Sequence, residues 1–334
     1  MSEKNLQVLL ANRPQGPVAE SNFSIVETPL PVPGAGQVLV RNHYLSLDPY
    51  MRGRMTDAKS YAKPMDLGEV MVGDTVGEVV TSNHPGFKPG NKVAGYLGWQ
   101  TYGVAAGADL HVVDDSKVPL SSYLGVLGMP GATAWVGLMD ICEPKAGETV
   151  VVTAASGAVG SIAAQLAKIH GAHVVGVAGG VEKCRFVVDE MGLDACVDYK
   201  AGRLAPDIKA ATPRGVDCLF ENVGGEIFDL LLGRMNAFGR IAVCGMISQY
   251  NGEGYGMKKM LSVVLNRLKM QGYVVNDYKD RWPLAHKELH EHLAAGRIKY
   301  RESVAHGLRS APTALIGLLK GENFGKQLVK LIPE

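Results

Sequence analysis

A short run of small residues near the middle of the chain has the spacing of a phosphate-binding turn. Residues 149–168 read TVVVTAASGAVGSIAAQLAK, with β-branched residues before the turn and a helix-forming stretch after it. A strand, a tight turn and a helix in that order present backbone N–H groups at the helix N-terminus, where they bind a dinucleotide pyrophosphate. Gly157 would let the ligand approach the backbone, and Gly160 would let the helix pack closely on the strand.

The glycine pattern itself is incomplete, because Ala155 stands where the first glycine of G-x-G-x-x-G is expected. Glycines that only pack two elements together are the alternative interpretation. The flanking strand and helix, and another β-branched run at 173–178, favour a dinucleotide site. We therefore predict that the cofactor phosphates contact the turn residues Ala155, Gly157, Ala158, Val159 and Gly160.

The residues after the next predicted strand indicate which dinucleotide binds. NAD-specific sites carry a carboxylate about 20 residues beyond the glycines, on the ribose 2′-hydroxyl. This chain has Gly179 and Gly180 there, followed by Lys183. A lysine attracts the 2′-phosphate of NADPH, whereas a carboxylate would repel it. Tyr199 could place its hydroxyl against the same phosphate, so NADPH is the expected cofactor. The alternative for Lys183 is an exposed residue in the first turn of a helix that contacts no ligand.

The cysteines and histidines give little support to a metal site. The chain has no CxxC pair and an odd number of cysteines, which argues against zinc lobes and disulfide frameworks. These cysteines are Cys142, Cys184, Cys196, Cys218 and Cys244. His286, His290 and His292 lie in HKELHEH, where positions i and i+4 share a helix face but i+6 turns away. We therefore expect HKELHEH to be a solvent-exposed helix and not a metal site, and we predict no bound metal.

Two regions of different patterning must position these residues. Before about residue 125, short apolar runs at 37–41, 76–80 and 92–96 alternate with Pro-Gly pairs, which is typical of a small β-barrel or sandwich. From Thr149 onward, strand-like runs alternate with helical segments, which predicts a parallel, doubly wound sheet in an α/β protein. These runs are 149–154, 173–178, 195–199, 216–221, 240–245 and 270–275. In the tail, strands are predicted at 303–305 and 327–332, around a helix at 311–320.

Length and composition agree with two globular domains. The 334 residues are 46% hydrophobic and 20% charged, and 34 basic against 33 acidic residues give a net charge of +1. Nucleic-acid binding is therefore not expected. Residues 150–167 carry no charge, but their Gly, Ser and Thr content favours a buried strand, turn and helix over a membrane span. The N-terminus lacks the apolar stretch of a signal peptide, so a cytoplasmic location is expected.

Nine stretches along the chain resemble one family. They are NRP at 12–14, YLSLDPYMRGRM at 44–55, SNHP at 82–85, GMPG at 128–131, AASGAVG at 154–160, GGVEKC at 179–184, ENVGG at 221–225, CGMISQYN at 244–251 and GENFGK at 321–326. The sequence resembles the zinc-independent medium-chain dehydrogenases/reductases, in the leukotriene/prostaglandin and alkenal reductase branch that includes bacterial NADPH-dependent curcumin reductases. The resemblance implies a GroES-like substrate domain at 1–125 and 298–334, a Rossmann-type NADPH domain at 126–297, and a dimer.

The resemblance also bears on zinc. Zinc-dependent relatives carry Gly-His-Glu where this chain has Gly73, Asp74 and Thr75, and a cysteine where it has the 47–49 region. Catalytic zinc needs three protein ligands. Without zinc, the branch implies reduction of a C=C bond conjugated to a carbonyl, with hydride passing to the β-carbon and charge moving to the carbonyl oxygen.

Tyrosine hydroxyls suit the task of stabilising that oxygen, because they are neutral donors at pH 7. Tyr250 follows the strand that ends near Cys244, at the carboxyl edge where open α/β sheets bind ligands. It is the expected donor, and the resemblance implies Tyr50 as a second tyrosine facing it. Tyr255 is a weaker candidate for the substrate lining. The alternative for each is a tyrosine that only packs.

Further cofactor contacts follow from the resemblance alone. The residues expected near the ribose or nicotinamide are Asn222, Cys244, Met246, Ile247, Ser248 and Asn323, with Met129 and Thr133 in second rank. Tyr61, Met65 and Trp99 are equally consistent with pocket lining and core packing. A helix at about 257–269 would border the entrance, and the apolar strand 270–275 would be an unpaired edge that pairs with its twin in a dimer.

The main functional prediction is NADPH-dependent reduction of enones or enals. Dienone phenolics such as curcumin are among the substrates considered. A zinc-free quinone reductase is the second enzyme hypothesis, although it would not need a tyrosine donor. A cofactor-binding structural protein of the lens-crystallin kind is the non-enzyme hypothesis.

Overall fold

The structure, a computed structural model, describes residues 3–252 and 254–332. The chain divides into two compact units. Unit 1 consists of the residues up to Leu124 together with those from Glu302 onward, and unit 2 is Gly125–Arg301.

The strands and helices are numbered in chain order. The strands are β1 (Lys4–Leu10), β2 (Phe23–Pro29), β3 (Gln37–Ser46), β4 (Thr75–Ser82), β5 (Lys92–Gly95), β6 (Tyr102–Ala106), β7 (Leu110–Val112), β8 (Thr149–Thr153), β9 (His173–Ala178), β10 (Ala195–Asp198), β11 (Val216–Glu221), β12 (Met235–Val243), β13 (Lys269–Gly272), β14 (Glu302–His306) and β15 (Lys326–Lys330). The helices are α1 (Tyr50–Arg54), α2 (Met129–Val136), α3 (Gly160–Ile169), α4 (Val181–Arg185), α5 (Leu204–Ala211), α6 (Gly225–Leu232), α7 (Leu261–Leu265), α8 (Trp282–Ala294) and α9 (Ala311–Leu319).

Unit 1 is built on a mixed sheet with the order β14-β15-β3-β4-β5-β7, in which β6 also pairs with β3. β14 and β15 run parallel, whereas β15, β4 and β6 are antiparallel to β3. The C-terminal residues thus complete the sheet that the N-terminal residues begin. A hairpin of β1 and β2 lies beside α9 over a shared apolar core.

For Trp99 and Met65, the core of unit 1 distinguishes core packing from pocket lining, the two roles that the sequence left open. Trp99 and Met65 are buried within it, and the Trp99 ring stacks on Phe23 with centroids 5.6 Å apart. These two side chains therefore pack the core. Tyr61 is 65% exposed.

Unit 2 contains a parallel sheet with the order β10-β9-β8-β11-β12-β13. The order reverses between β8 and β11, and this is the switch point at which open α/β sheets bind ligands beyond the carboxyl ends of the strands. β8 is buried along its whole length, as its TVVVT sequence predicts for a central parallel strand. The predicted α/β class with a doubly wound, Rossmann-type sheet is confirmed.

Three elements of unit 2 differ from the predicted ranges by more than one residue: β12, β13 and the helix predicted at 257–269. β12 starts at Met235, five residues early, because a register shift against β11 and the positive φ of Phe238 let the strand pass a turn-like sequence. β13 ends at Gly272, and the hydroxyl of Tyr273 donates to the Thr133 carbonyl.

The predicted helix at 257–269 is reduced to α7. The backbone N–H groups of Lys258 and Lys259 both donate to Asp229 Oδ1, which holds the preceding residues outside the helix. The uncharged stretch 150–167 forms β8, the glycine turn and most of α3. Within the described residues, the structure contains no helix that has both the length and the apolar character needed to cross a bilayer.

Candidate active site

The glycine turn has the close packing that its sequence predicts. Ala154 adopts a positive φ of 49°, and its carbonyl accepts a hydrogen bond of 2.8 Å from Gly157 N. A Cβ atom on Gly160 would lie 2.3 Å from the Ala154 oxygen, so only glycine fits where α3 starts. No described residue accepts a hydrogen bond from the N–H groups of Ala158 and Val159. These donors, with the helix dipole, suit a phosphate.

Ala155 takes a different part in the turn. Its N–H donates to the Val177 carbonyl at 3.0 Å, and its side chain is fully buried beside Gly176. Ala155 therefore ties the turn to β9.

The segment after β9 collects positive charge. The Gly179 backbone packs against the Tyr199 ring, because a Cβ atom there would come within 2.6 Å of the ring. Lys200 Nζ lies 5.9 Å from the centre of the Tyr199 ring. Burial, and then the charge of Lys200, lower the pKa of Lys183. The Tyr199 ring therefore contacts the Gly179 backbone, and the charges of Lys183 and Lys200 lie close enough to interact with each other. Such a combination suits a 2′-phosphate.

The carboxylate of Asp198, at the end of β10, is occupied by backbone hydrogen bonds. Its Oδ1 accepts hydrogen bonds from Gly180 N at 2.7 Å and from Lys200 N at 2.9 Å. The carboxylate therefore links the backbone after β9 to the backbone after β10.

A network at the switch point fixes Asn222. Its N–H donates to Thr153 Oγ1 at 2.8 Å, and its side-chain amide donates to the Thr153 carbonyl at 2.7 Å. Glu221 is fully buried, and its Oε1 accepts from Val223 N, Gly224 N and Thr153 Oγ1. Burial raises the pKa of Glu221 to about 7. Asn222 and the glycine turn therefore occupy adjacent strand ends.

The loop after β12 is fastened to the loop after β11. Ile247 N donates to the Asn222 carbonyl at 3.2 Å, and both Ser248 N and Ser248 Oγ donate to the Val223 carbonyl. Cys244, Met246, Ile247 and Ser248 thus lie beside Asn222. Burial raises the pKa of Cys244 to about 12, so this thiol stays protonated at neutral pH.

Tyr250 lies over the start of the same loop. Its hydroxyl oxygen accepts a hydrogen bond of 3.4 Å from Met246 N, and a Cβ atom on Gly245 would be 3.1 Å from that oxygen. Burial raises the pKa of Tyr250. Tyr255 N donates to Gln249 Oε1 at 3.1 Å, which ties Tyr255 to the loop through its backbone.

Thr133 and Cys244 are connected through a tyrosine that the sequence did not single out. The Tyr273 hydroxyl donates to the Thr133 carbonyl at 2.8 Å and is also hydrogen-bonded to the Cys244 thiol. Thr133 Oγ1 donates to the Met129 carbonyl at 2.7 Å. Met129 and Thr133 therefore lie on the Cys244 side of unit 2.

Tyr50 belongs to unit 1, where it starts α1. Its hydroxyl oxygen lies 3.5 Å from that of Tyr96. Burial, and then the charge of Asp74, raise the pKa of Tyr50 well above its usual value. Tyr50 and Tyr96 therefore form a pair of neutral hydroxyl groups. Asn323, also in unit 1, donates from its side-chain amide to the Gly325 carbonyl at 2.7 Å.

A buried ion pair lies next to Tyr50 in sequence. Lys326 Nζ is 2.8 Å from Asp48 Oδ1 and donates to the Leu47 carbonyl at 2.7 Å. Ser46 Oγ donates to the other oxygen of Asp48. Burial, and then the charge of Asp48, raise the pKa of Asp74 to about 7.

The side chains at the positions aligned with zinc ligands do not fit a zinc centre. Asp48 is neutralised by a lysine ammonium group, and Asp74 is the second carboxyl, whereas catalytic zinc takes three ligands of the Cys, His and carboxylate types. Across the two described stretches, 3–252 and 254–332, no three His, Cys, Asp or Glu side chains are placed to hold a metal. In α8, His292 accepts from Arg297 Nε and lies 3.6 Å from Glu288.

Several of these groups were missed from the sequence. Lys200, Glu221 and Tyr273 each lie within two residues of the end of a strand. Their position near the carboxyl ends of parallel strands is the feature of the sequence that could have indicated them. Tyr96 and Lys326 had no local signal, since their partners lie 46 and 278 residues away in the chain.

A parallel sheet with this strand order, a phosphate-binding turn at its switch point and a second mixed-sheet unit define a dinucleotide-dependent dehydrogenase or reductase. Family profiles agree: that of an oxidoreductase N-terminal domain matches residues 6–113, and that of a zinc-binding dehydrogenase matches residues 158–291. The chain belongs to the medium-chain dehydrogenase/reductase family, in its zinc-independent reductase branch.

Individual relatives cover almost the whole chain. The NADPH-dependent curcumin reductase of Escherichia coli is 46% identical over 98% of this chain and 97% of its own length. The NADP-dependent 2-alkenal reductase of Nicotiana tabacum is 44% identical over 99% and 98%. The crystal structure of CurA from Vibrio vulnificus in complex with NADPH is 45% identical, with a TM-score of 0.94 over 98% of this chain and all of that chain.

Proposed function

We propose that this protein is an NADPH-dependent reductase of C=C bonds conjugated to a ketone or aldehyde. The observation that carries the proposal is the position of the Tyr250 hydroxyl, which lies at the carboxyl end of β12 on the Gly245–Met246 backbone. A donor there is what reduction of an enone requires of the protein. The curcumin and alkenal reductases named above support the same class of reaction.

The residues that would hold NADPH are those of the sheet edge in unit 2. The N–H groups of Ala158, Val159 and Gly160 would bind the pyrophosphate, while Lys183, Tyr199 and Lys200 would bind the 2′-phosphate. Asn222 and the 244–248 loop would hold the nicotinamide half, with Gly179 and Gly180 lining the ribose. Asn323, Met129 and Thr133 remain proposed contacts on the resemblance.

When bound, NADPH supplies a hydride for the β-carbon of the substrate. Tyr250 would donate a hydrogen bond to the carbonyl oxygen as negative charge gathers on it. Its oxygen accepts from Met246 N, and this arrangement does not use the hydroxyl hydrogen. Because burial raises the pKa of Tyr250, the hydroxyl stays protonated and available as a donor at neutral pH.

Tyr50 is proposed as the second hydroxyl donor. Its raised pKa and its pairing with Tyr96 keep it protonated, so it could stabilise the oxygen or deliver a proton toward the α-carbon. Tyr255 is proposed as part of the substrate lining. No step is assigned to Cys244, since its thiol is held by Tyr273 and its pKa is raised.

The test follows the loss of NADPH absorbance with an aliphatic enone, with a quinone and without an acceptor. Rapid turnover of the enone supports the proposal. Turnover of the quinone alone would indicate a quinone reductase, and binding without turnover would indicate a structural protein. Tyr250→Phe is expected to lower kcat on the enone by about 10²-fold, the usual loss of one oxyanion donor. Tyr278→Phe is the matched control, and equal rates for the two variants would contradict the role of Tyr250.

We also propose a homodimer formed through β13. This strand ends the sheet order of unit 2, and Met270 on it is 36% exposed. α7, just before it, exposes Leu261, Val264 and Leu265 by 61–70%. An apolar patch beside an open strand edge favours association between copies. Light scattering at micromolar concentration is expected to give a dimer, and Val264→Asp is expected to shift it to monomer.

We also propose that residues 1–125 and 298–334 form the substrate domain and that residues 126–297 form the NADPH domain. The proposed location of the protein is the cytoplasm. Cell fractionation tests the location, and cofactor titration of the isolated unit 2 sequence tests the assignment of NADPH to that domain.

A further inference from the structure

Two cysteines that are twelve positions apart in the chain meet in unit 2. Cys184 lies in α4 and Cys196 lies in β10, and their sulfur atoms are 2.9 Å apart. Both residues are partly exposed, which leaves the pair open to a small reagent such as a peroxide. Cys142 and Cys218 also lie close together, but both are fully buried.

The two thiols differ in character. The Cys196 thiol donates a hydrogen bond to the Cys184 sulfur, and this bond lowers the pKa of Cys184. The same bond and burial raise the pKa of Cys196. A thiol with a lowered pKa, accessible and next to a second thiol, is the arrangement of redox-sensitive cysteines.

The elements that carry these cysteines also carry the proposed 2′-phosphate site. Lys183 immediately precedes Cys184 in α4. Asp198, two residues after Cys196, bonds the N–H groups of Gly180 and Lys200. A covalent bond between the two sulfur atoms would therefore join the two segments on which Lys183 and Tyr199 stand.

We propose that Cys184 and Cys196 form a reversible disulfide when the protein meets a peroxide, and that this bond weakens NADPH binding. The effect on NADPH rests on the function proposed above, whereas the bond itself does not.

The oxidation proceeds in two balanced steps. The Cys184 thiolate attacks one peroxide oxygen, an S–O bond forms, and the O–O bond breaks to release hydroxide. Cys196 then attacks the Cys184 sulfur, its proton leaves with the hydroxyl group as water, and the S–S bond forms. The two thiols together lose two electrons and two protons. The proton that left the Cys184 thiol combines with the released hydroxide, so hydrogen peroxide is reduced to two waters. A dithiol reductant reverses the reaction by thiol–disulfide exchange.

The bond requires the sulfur atoms to approach from 2.9 Å to about 2.05 Å. Because Lys183 immediately precedes Cys184 and Tyr199 follows Cys196 by three residues, this approach is expected to move Lys183 relative to Tyr199 and Lys200. A disturbed charged hydrogen bond to phosphate predicts a rise of about tenfold in KM for NADPH. The value of kcat is expected to stay nearly unchanged, because the Tyr250 loop lies on other strands.

The experiment treats the whole protein with hydrogen peroxide, alkylates the remaining thiols and maps the peptides by mass spectrometry. The expected result is a disulfide between Cys184 and Cys196, with Cys142 and Cys218 still alkylated after denaturation. Kinetics of the same sample are expected to show the rise in KM for NADPH and its reversal by dithiothreitol. Cys184→Ser, treated identically, is the control for methionine oxidation and is expected to keep the KM of the untreated protein.

Free thiols at both positions after treatment would overturn the proposal, as would a disulfide between Cys142 and Cys218 in their place. A Cys184–Cys196 disulfide without a change in KM would overturn the effect on NADPH. Peptide mapping needs no activity, so failure of the proposed function and failure of the dithiol are distinguishable.

Discussion

Replacing Lys326 with methionine removes one partner of the buried ion pair in unit 1. The side chains of Lys326 and Asp48 are only 4% and 6% exposed, and the nitrogen and oxygen are 2.8 Å apart. Methionine has a similar length and no charge, so the replacement leaves Asp48 buried with its bond from Ser46 alone. The Leu47 carbonyl loses its donor as well.

The expected cost follows from this geometry. Removing one partner of a buried pair costs about 3–5 kcal/mol, because the remaining charge is uncompensated. That loss is a large part of an ordinary domain stability of about 5–15 kcal/mol. Adding Asp48→Asn removes the stranded charge, so the double variant is expected to recover about 2 kcal/mol of the loss.

Chemical denaturation followed by Trp99 fluorescence measures the effect in unit 1. Trp99 is fully buried against Phe23, and replacing the other tryptophans, Trp135 and Trp282, by phenylalanine in every variant isolates its signal. Lys320→Met is the matched control, because Lys320 is exposed at the end of α9. The reasoning is refuted if Lys326→Met lowers the free energy of unfolding no more than Lys320→Met, or if Asp48→Asn deepens the loss.

Two further predictions concern unit 2. Burial raises the pKa of Glu221 from 4.5 to about 7, so the folded state keeps a proton that the unfolded state loses, and the free energy of unfolding falls as pH rises between these values. Glu221→Gln is expected to remove about 3 kcal/mol of that fall, measured by denaturation at about pH 5 and about pH 8; parallel curves for the two proteins would contradict the burial effect. Lys183→Ala is expected to raise KM for NADPH by at least about tenfold and to leave KM for NADH unchanged, and an equal effect on both cofactors would remove Lys183 from the 2′-phosphate site.

Much of the parallel sheet could be predicted because its signals are local. The β8 strand, the glycine turn and α3 follow one another in the chain, and each has its own pattern of β-branched, small or helix-forming residues. The start of β12 was missed, since the strand was predicted from residue 240, whereas it begins at Met235 and passes Phe238 with a positive φ and a register shift against β11.

The groups that depend on distant partners could not be read from the sequence. Lys326 and Asp48 are 278 positions apart, and a lysine in a strand gives no sign of a buried carboxylate partner. Tyr273 was expected in an edge strand, yet its hydroxyl bonds Thr133, 140 positions away. Such contacts come from the packing of the fold, which local patterns do not contain.

Transfer of deuterium tests the central claim most directly. NADPH deuterated at the transferable position of the nicotinamide is incubated with the enzyme and an aliphatic enone, and the product is examined by NMR spectroscopy. The expected product is a saturated ketone with deuterium on the β-carbon. Deuterium on the carbonyl carbon of an allylic alcohol, or a saturated ketone with no deuterium at the β-carbon, would contradict it.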